Sequence, residues 1–496
     1  MSSPLPPPVA FLAVDLGSSS GRVMLGILDT DAAGAAAFTV TEAGRFANVP
    51  VRRAEGLSWD IPTLWEGVLD GLTAGVAQAR ATGAPVVGIG VDSWGVDYGR
   101  VSSGGLLRPF VRHHRGVDAI LAARSSAERD LAEDYRITGV LDQAINTAHQ
   151  LREDAEQGIG EADDRILLIA DLFVRLLSGV EASEASLASS TALLDRTTGD
   201  WSSALVDGLP AILPPIVADG DPAGTTDADV TARIGADEPL PVRFVTAHDT
   251  AAAFSAVADA ATGADAAVVS CGSWAVVGVV LDRPILTDAA RRAGFTQEVG
   301  AGGETLLVKN LSGMWLLQQV TREWAHSDGV DDWPVDALRD LLADAASSSY
   351  RGVFDPADPA LQSPDGLVPR LRAACESSAG ESPASRADLV RAILESLSSA
   401  YAQTLRQIEG LTGRSLTSVR LVGGGSRNDL LAGITAERTG IPVVAGPAEA
   451  SIHGILFQLA AASGHLPDLA TARKTPVDDG EPPVRRYAPT VSGAHA

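Results

Sequence analysis

Lysine is nearly missing from this chain: 496 residues contain two, Lys309 and Lys474. Neither follows a glycine, which excludes a phosphate loop of the Gly-Lys-Ser/Thr kind. Any phosphate must be met by backbone N–H groups, hydroxyls, arginine or a metal ion. Cysteine is equally scarce, with Cys271 and Cys375 in no CxxC pair. That excludes a disulfide framework and fits a reducing compartment. No uninterrupted apolar run is long enough to span a bilayer. Met1 to Pro8 is Ser/Pro-rich, without a basic or an apolar region, so no signal peptide is expected and a cytoplasmic location is. Positive charge is outnumbered, with Lys+Arg 38 against Asp+Glu 63 and a net charge of −25. Such a field repels phosphate polymers, which excludes nucleic acid and anionic membranes as bulk electrostatic partners. The acidity itself serves solubility.

What is present is an ordinary globular composition, 45% hydrophobic and 20% charged, long enough for two large domains. Phe11–Asp15, the turn Gly17–Gly21 and Val23–Leu28 read as a strand–turn–strand hairpin. A helix is predicted over Thr63–Ala81 from Leu64, Val68, Leu72 and Val76. Val86–Asp92 reads as a buried strand ending in a carboxylate. Residues 117–210 read as mixed helix and loop, with a helix over Arg165–Leu177. Ala218–Asp237, rich in Asp, Gly, Thr and Pro, reads as surface loop. Val242–Val245 is a strand that delivers His248-Asp249-Thr250. Ala266–Trp274 followed by Ala275–Leu281 repeats the first hairpin's pattern and hints at two related halves. Ala387–Leu411 is a long helix. Val419–Val422, Gly423–Asn428, a helix Asp429–Thr439 and a strand Pro442–Ala445 form an α/β unit. The tail after Leu466 reads as irregular.

Four segments could carry chemistry. In Asp15-Leu-Gly-Ser-Ser-Ser-Gly-Arg22, a small-residue turn can present N–H groups and hydroxyls to phosphate. Asp15 at the strand end could hold Mg²⁺ through water; an ordinary hairpin is the plain alternative. Asp249 suits a general base that accepts a hydroxyl proton during phosphoryl transfer, or else a helix N-cap. The glycines Gly423, Gly424 and Gly425 leave bare backbone for a nucleotide's flat base, or simply connect strand to helix. Asp92-Ser-Trp94-Gly95-Val-Asp97 offers a Trp94 platform flanked by carboxylates for a sugar face, or a buried Trp. His113-His114 has no Cys or spaced His to complete a metal site.

In order, these segments resemble the FGGY carbohydrate kinases of the actin–hexokinase ATPase superfamily. The closest matches are Ala13–Met24, Gly90–Asp97, Ala247–Ala251, Val308–Gln318 and Ala445–Ser451. The resemblance implies an α/β fold of two actin-like (ribonuclease H-like) domains flanking a deep catalytic cleft. It places a mainly sugar-binding domain over 9–246, a mainly ATP-binding domain over 247–465 and a tail over 466–496. It implies ATP as cosubstrate, Mg²⁺ as cofactor and a small ketose as acceptor. L-rhamnulose is the acceptor in the branch that matches best, and another ketose or polyol (fuculose, xylulose) or a non-catalytic sensor are the alternatives. By matching positions, Asp249 is the catalytic base. Gly95, His248, Asp249, Thr250 and Asn310 border the sugar. Ser18, Ser19, Ser20, Gly21, Arg22, Ser273, Gln318 and Gly424 contact ATP. Three departures stand out: Val111-Arg-His-His-Arg115 where the family usually has Tyr-Arg-Asp-x-Arg, Ile452-His453-Gly454 where it has Gly-Asn, and Ser273 where Thr is usual.

Overall fold

The computed structural model describes residues 7–489 except 32, 128, 258–264, 331–332 and 362. Most of the Met1–Pro8 run and the tail's last residues lie outside the described residues. The chain forms two compact units, one drawing on Met1–Asp259, Val280–Leu307 and Ala450–Glu481, the other on Ala260–Val279, Val308–Glu449 and Pro482–Ala496.

The first unit is built on a 7-stranded sheet in the order Pro222–Thr225, Pro241–Arg243, Val86–Ser93, Val9–Leu16, Ser20–Thr30, Ala36–Ala47, Val477–Asp478. Val9–Leu16 pairs antiparallel with Ser20–Thr30 and parallel with Val86–Ser93. All of its residues are buried, which explains its near-continuous apolar sequence. The helix Ile61–Thr82 buries Leu64, Val68, Leu72 and Val76, the spacing predicted from sequence. The helix Ala450–Ala462 is buried over most of its circumference, from Ile452 to Ala460, as expected of a helix apolar all round.

The second unit repeats the hairpin. Ala266–Cys271 pairs antiparallel with Trp274–Leu281 and parallel with Ser418–Val422, which continues in parallel to Val443–Ala445. The long helix Arg386–Thr412 opens on a capping box of Ser385 and Asp388, a pair that satisfies two otherwise orphaned N–H groups.

Three expectations are corrected. Arg165–Leu168 is a strand, paired with Tyr98–Val101, and the helix starts only at Ile169. Its apolar run fits either period, and the partner strand decides. Ala218–Asp237 is not a plain loop. It holds the edge strand Pro222–Thr225 and the helix Ala228–Arg233, capped by Asp227. The tail is not irregular. It forms a short helix, Leu469–Ala472, and two short strands: Val477–Asp478 extends the first unit's sheet, and Arg485–Tyr487 pairs with Val443–Ala445 in the second. Such short edge strands take their order from the sheet they join.

Candidate active site

In the first unit, strand register brings the chemistry together. Asp15 and Asp92 lie side by side on parallel strands, and Arg22 faces Asp15 across the hairpin. Arg22 donates to Asp15 Oδ2 from Nε at 2.9 Å and from Nη2 at 2.6 Å. Ser451 Oγ adds a third contact at 3.4 Å. The turn between them leaves Ser18 and Ser19 exposed, Ser20 and Arg22 half-buried and Gly21 buried. Asn48 staples that turn: its backbone N–H donates to Ser19 O at 3.1 Å and its Nδ2 to Gly17 O at 2.9 Å. Sequence reasoning missed Asn48, because nothing local marks a residue that acts across a sheet.

Asp249 is the first residue of the helix Asp249–Val257. The strand end Ser93 fixes its approach, with Ser93 N donating to Ala247 O at 2.8 Å. The Asp249 side chain turns onto the next residue of the helix. Its Oδ1 accepts from Thr250 N at 2.5 Å and Thr250 Oγ1 at 3.2 Å, and 40% of the side chain stays exposed. Surrounding protein raises its pKa, His248 opposes this, and Asp15 adds to it. Asp249 is therefore an accessible carboxylate of enhanced basicity, as a proton acceptor requires.

His248 lies with Nδ1 2.8 Å from Glu298 Oε2 and Nε2 3.6 Å from Asp249 Oδ1. Burial alone would lower the imidazole's pKa, but Glu298, Asp249 and Glu184 outweigh it and lift the value to about 9. Gly95 closes against the same imidazole. A Cβ there would stand 2.9 Å from Ser190 Oγ and 3.2 Å from His248 Nε2. The next residue, Val96, holds a φ of 68°, costly for a β-branched residue. Ser190 Oγ accepts from Val96 N at 3.2 Å, and Val96 O accepts from Thr147 Oγ1 at 2.6 Å and Gln150 Nε2 at 3.2 Å.

Trp94 is not an open platform. It is 6% exposed, its ring centroid lies 4.2 Å from that of Trp59, and both indole N–H groups donate to Asp97 Oδ2. His113 and His114 do gather with Asp97 into a cluster of potential ligands, which the sequence spacing hid. The Asp97 carboxylate, however, already engages the two indoles, His114 Nδ1 at 2.8 Å and Gln150 Nε2 at 2.9 Å. It works as a hydrogen-bond hub beneath the Gly95–Val96 turn. In the altered 111–115 segment, Arg112 is buried and fixed by Glu153 and Asp154.

The remaining expected residues belong to the second unit. Ser273 Oγ donates to Gln318 Oε1 at 3.2 Å, so two residues assigned to ATP meet. The helix Trp315–Asp328 is docked at that turn by Met314 N on Gly272 O at 2.9 Å and Trp315 N on Ser273 O at 3.0 Å. Gly313 permits this, since a Cβ there would stand 2.6 Å from Trp274 C. Gly424 is exposed, and a Cβ added to it would meet nothing within 4 Å. Asn310 is exposed on the strand Thr305–Ser312. Cys271 and Cys375 are both free and buried.

A divalent cation fits the carboxylates of the first unit. Asp92 is 0% exposed and neither of its oxygens has a partner. Burial, then Asp15, then Asp249 push its pKa well up. A buried carboxylate without a partner is costly, and a hydrated metal ion is one group that would satisfy it. The sequence offers Asp92 as a carboxylate beside Trp94 rather than as a metal ligand; what it lacks is the register that sets Asp92 next to Asp15.

Comparison with known proteins matches residues 10–255 to the N-terminal domain of the FGGY family of carbohydrate kinases and residues 267–463 to the C-terminal domain. A rhamnulokinase of Bacteroides thetaiotaomicron is 32% identical over 474 residues, 94% of this chain and 93% of the relative. A rhamnulokinase of Enterococcus faecalis is 31% identical over 472 residues, 93% of this chain and 91% of that relative. Among solved structures, a ligand-bound xylulose kinase from Lactobacillus acidophilus has the same fold, with a TM-score of 0.76 at 15% identity over 97% of this chain and 94% of the other. Among the described residues, no helix is long and apolar enough to cross a membrane.

Proposed function

Because this chain belongs to the FGGY family of carbohydrate kinases and is an ATP-dependent sugar kinase, we propose that it phosphorylates L-rhamnulose to L-rhamnulose 1-phosphate in L-rhamnose catabolism, in the cytoplasm, with Asp249 as general base. Relatives named rhamnulokinase align over almost the whole chain, which supports the choice of sugar. The observation that carries the mechanism is the Asp249 carboxylate, first in its helix, part-exposed and raised in basicity beside His248.

In this reading Asp249 takes the proton of the attacking hydroxyl. Gly95, His248, Thr250 and Asn310 orient the sugar. The exposed turn Ser18–Ser19, with Ser20, Gly21 and Arg22, meets the ATP phosphates through N–H groups, hydroxyls and guanidinium, the donors left to a chain with two lysines. Ser273, Gln318 and Gly424 take the rest of the nucleotide. The first unit is mainly the sugar side and the second mainly the ATP side. Asp15, through water, and Asp92 would hold Mg²⁺, which supplies charge neutralisation of the transferring phosphoryl group.

A coupled ADP-release assay over purified L-rhamnulose, L-fuculose and D-xylulose, with product analysis, tests the substrate. Turnover of L-rhamnulose to its 1-phosphate is expected to exceed that of the others. Preferential turnover of another ketose would replace the substrate while leaving the kinase intact.

A further inference from the structure

We propose that Glu298 is a positioning residue for the sugar kinase reaction: it holds the His248 imidazole by Nδ1, so that Nε2 carries an N–H directed toward the substrate side. This rests on the reading of His248 as a sugar-bordering residue.

The geometry is specific. Glu298 sits in the strand Thr296–Val299 and is 7% exposed. Hydrogen bonds fix its neighbours on both sides: Gln297 N to Gly139 O at 2.9 Å, and Val299 N to Ser189 Oγ at 2.9 Å. Its carboxylate is thus delivered by anchored backbone rather than by a free loop. With Oε2 2.8 Å from Nδ1, the ring's other nitrogen faces Gly95 and stands 3.6 Å from Asp249 Oδ1. A neutral ring donating from Nδ1 to Glu298 would aim a bare Nε2 lone pair at the Asp249 carboxylate, two electron-rich atoms facing each other. A doubly protonated ring removes that conflict and presents a charge-assisted donor to a sugar oxygen.

The charged and titratable groups around the ring come from separate elements: Glu298 from its strand, Asp249 from the following helix and Glu184 from the strand Ser183–Glu184. Glu184 Oε2 accepts from Ala247 N at 3.1 Å, and Ser186 Oγ accepts from His248 N at 3.0 Å. Ser190 and Gly95 add no charge. Of these carboxylates, Glu298 is the one in hydrogen-bond contact with the ring, at 2.8 Å from Nδ1, and is the main one holding the imidazolium.

The test uses the full chain without substrate. Histidine NMR titrations are assigned to His248 by comparison with His248→Asn. His248 is expected to titrate near 9 in the wild type and about 1–2 units lower in Glu298→Gln. Glu298→Asp, which keeps the charge but withdraws it by one methylene, is expected to fall between. In activity, the alkaline limb of kcat/KM for the sugar moves down in pH with the titration, while KM for ATP is unchanged. An unshifted His248 in both variants overturns the proposal, as does a fall in activity with an unmoved alkaline limb, which marks a merely structural role. The titration needs no sugar, so it keeps its meaning if another ketose proves to be the substrate.

Discussion

Gly454 lies directly against the Ala252 carbonyl: a Cβ built on Gly454 would stand 2.1 Å from Ala252 O and 2.5 Å from Ser255 Oγ. The contact joins the helix Ala450–Ala462 to the helix that begins at Asp249. Close packing of these helices sets where Asp249 sits. Gly454→Ala is therefore expected to destabilise the protein by about 1–3 kcal/mol through overpacking and to lower kcat more than it raises KM for ATP. Denaturant unfolding with steady-state kinetics checks both. Neighbouring His453 bonds Asp479 Oδ2 through Nε2 at 2.9 Å.

The floor at Gly95 predicts a different signature. A methyl group there meets Ser190 and His248 Nε2 at 2.9–3.2 Å. Gly95→Ala is expected to raise KM for the sugar by roughly tenfold, an effect of ~1.4 kcal/mol, with KM for ATP unchanged. Initial-rate measurements with each substrate varied in turn separate the two.

Gly424 makes the converse case. Space around it is open, so Gly424→Leu is expected to leave the melting temperature near the wild-type value. Its cost falls on nucleotide binding, with KM for ATP up by roughly tenfold, again ~1.4 kcal/mol, and KM for the sugar unchanged. Equal effects on both substrates would detach Gly424 from the nucleotide.

Asp92 predicts a pH-dependent stability. Its folded pKa is raised well above the usual carboxylate value of 3.8 by burial, Asp15 and Asp249. A group of this kind favours folding fully below its unfolded pKa, and that contribution is lost as pH rises through the folded value. Asp92→Asn is therefore expected to melt higher than the wild type at neutral pH without metal, with the difference vanishing toward pH 4. Added Mg²⁺ is expected to stabilise the wild type more than the variant. Calorimetry across pH, with and without Mg²⁺, reads both.

Local signals carried the sequence analysis. The two hairpins, the helix Ile61–Thr82 and the His248-Asp249-Thr250 segment were legible because short runs of apolar and small residues specify them. Alone, Asp249 reads more readily as a cap; its order among the other segments is what points to a base, and the structure places it first in its helix with its carboxylate on the neighbouring Thr250. What sequence concealed depends on register across strands or on distant packing. Asp92 beside Asp15, Asn48 under the serine turn and Glu298 behind His248 each meet a partner from another segment. Trp94 reads in sequence either as a platform or as a buried residue; the structure decides for the latter, with its N–H and that of Trp59 both spent on Asp97.

The most direct measurement of the central claim is single-turnover and steady-state phosphorylation by Asp249→Asn, beside calorimetric binding of sugar and nucleotide. The account predicts that both ligands still bind while kcat falls by roughly 10²–10⁴-fold, the usual range for loss of a general base. Near-normal turnover in a variant that binds both ligands would contradict it.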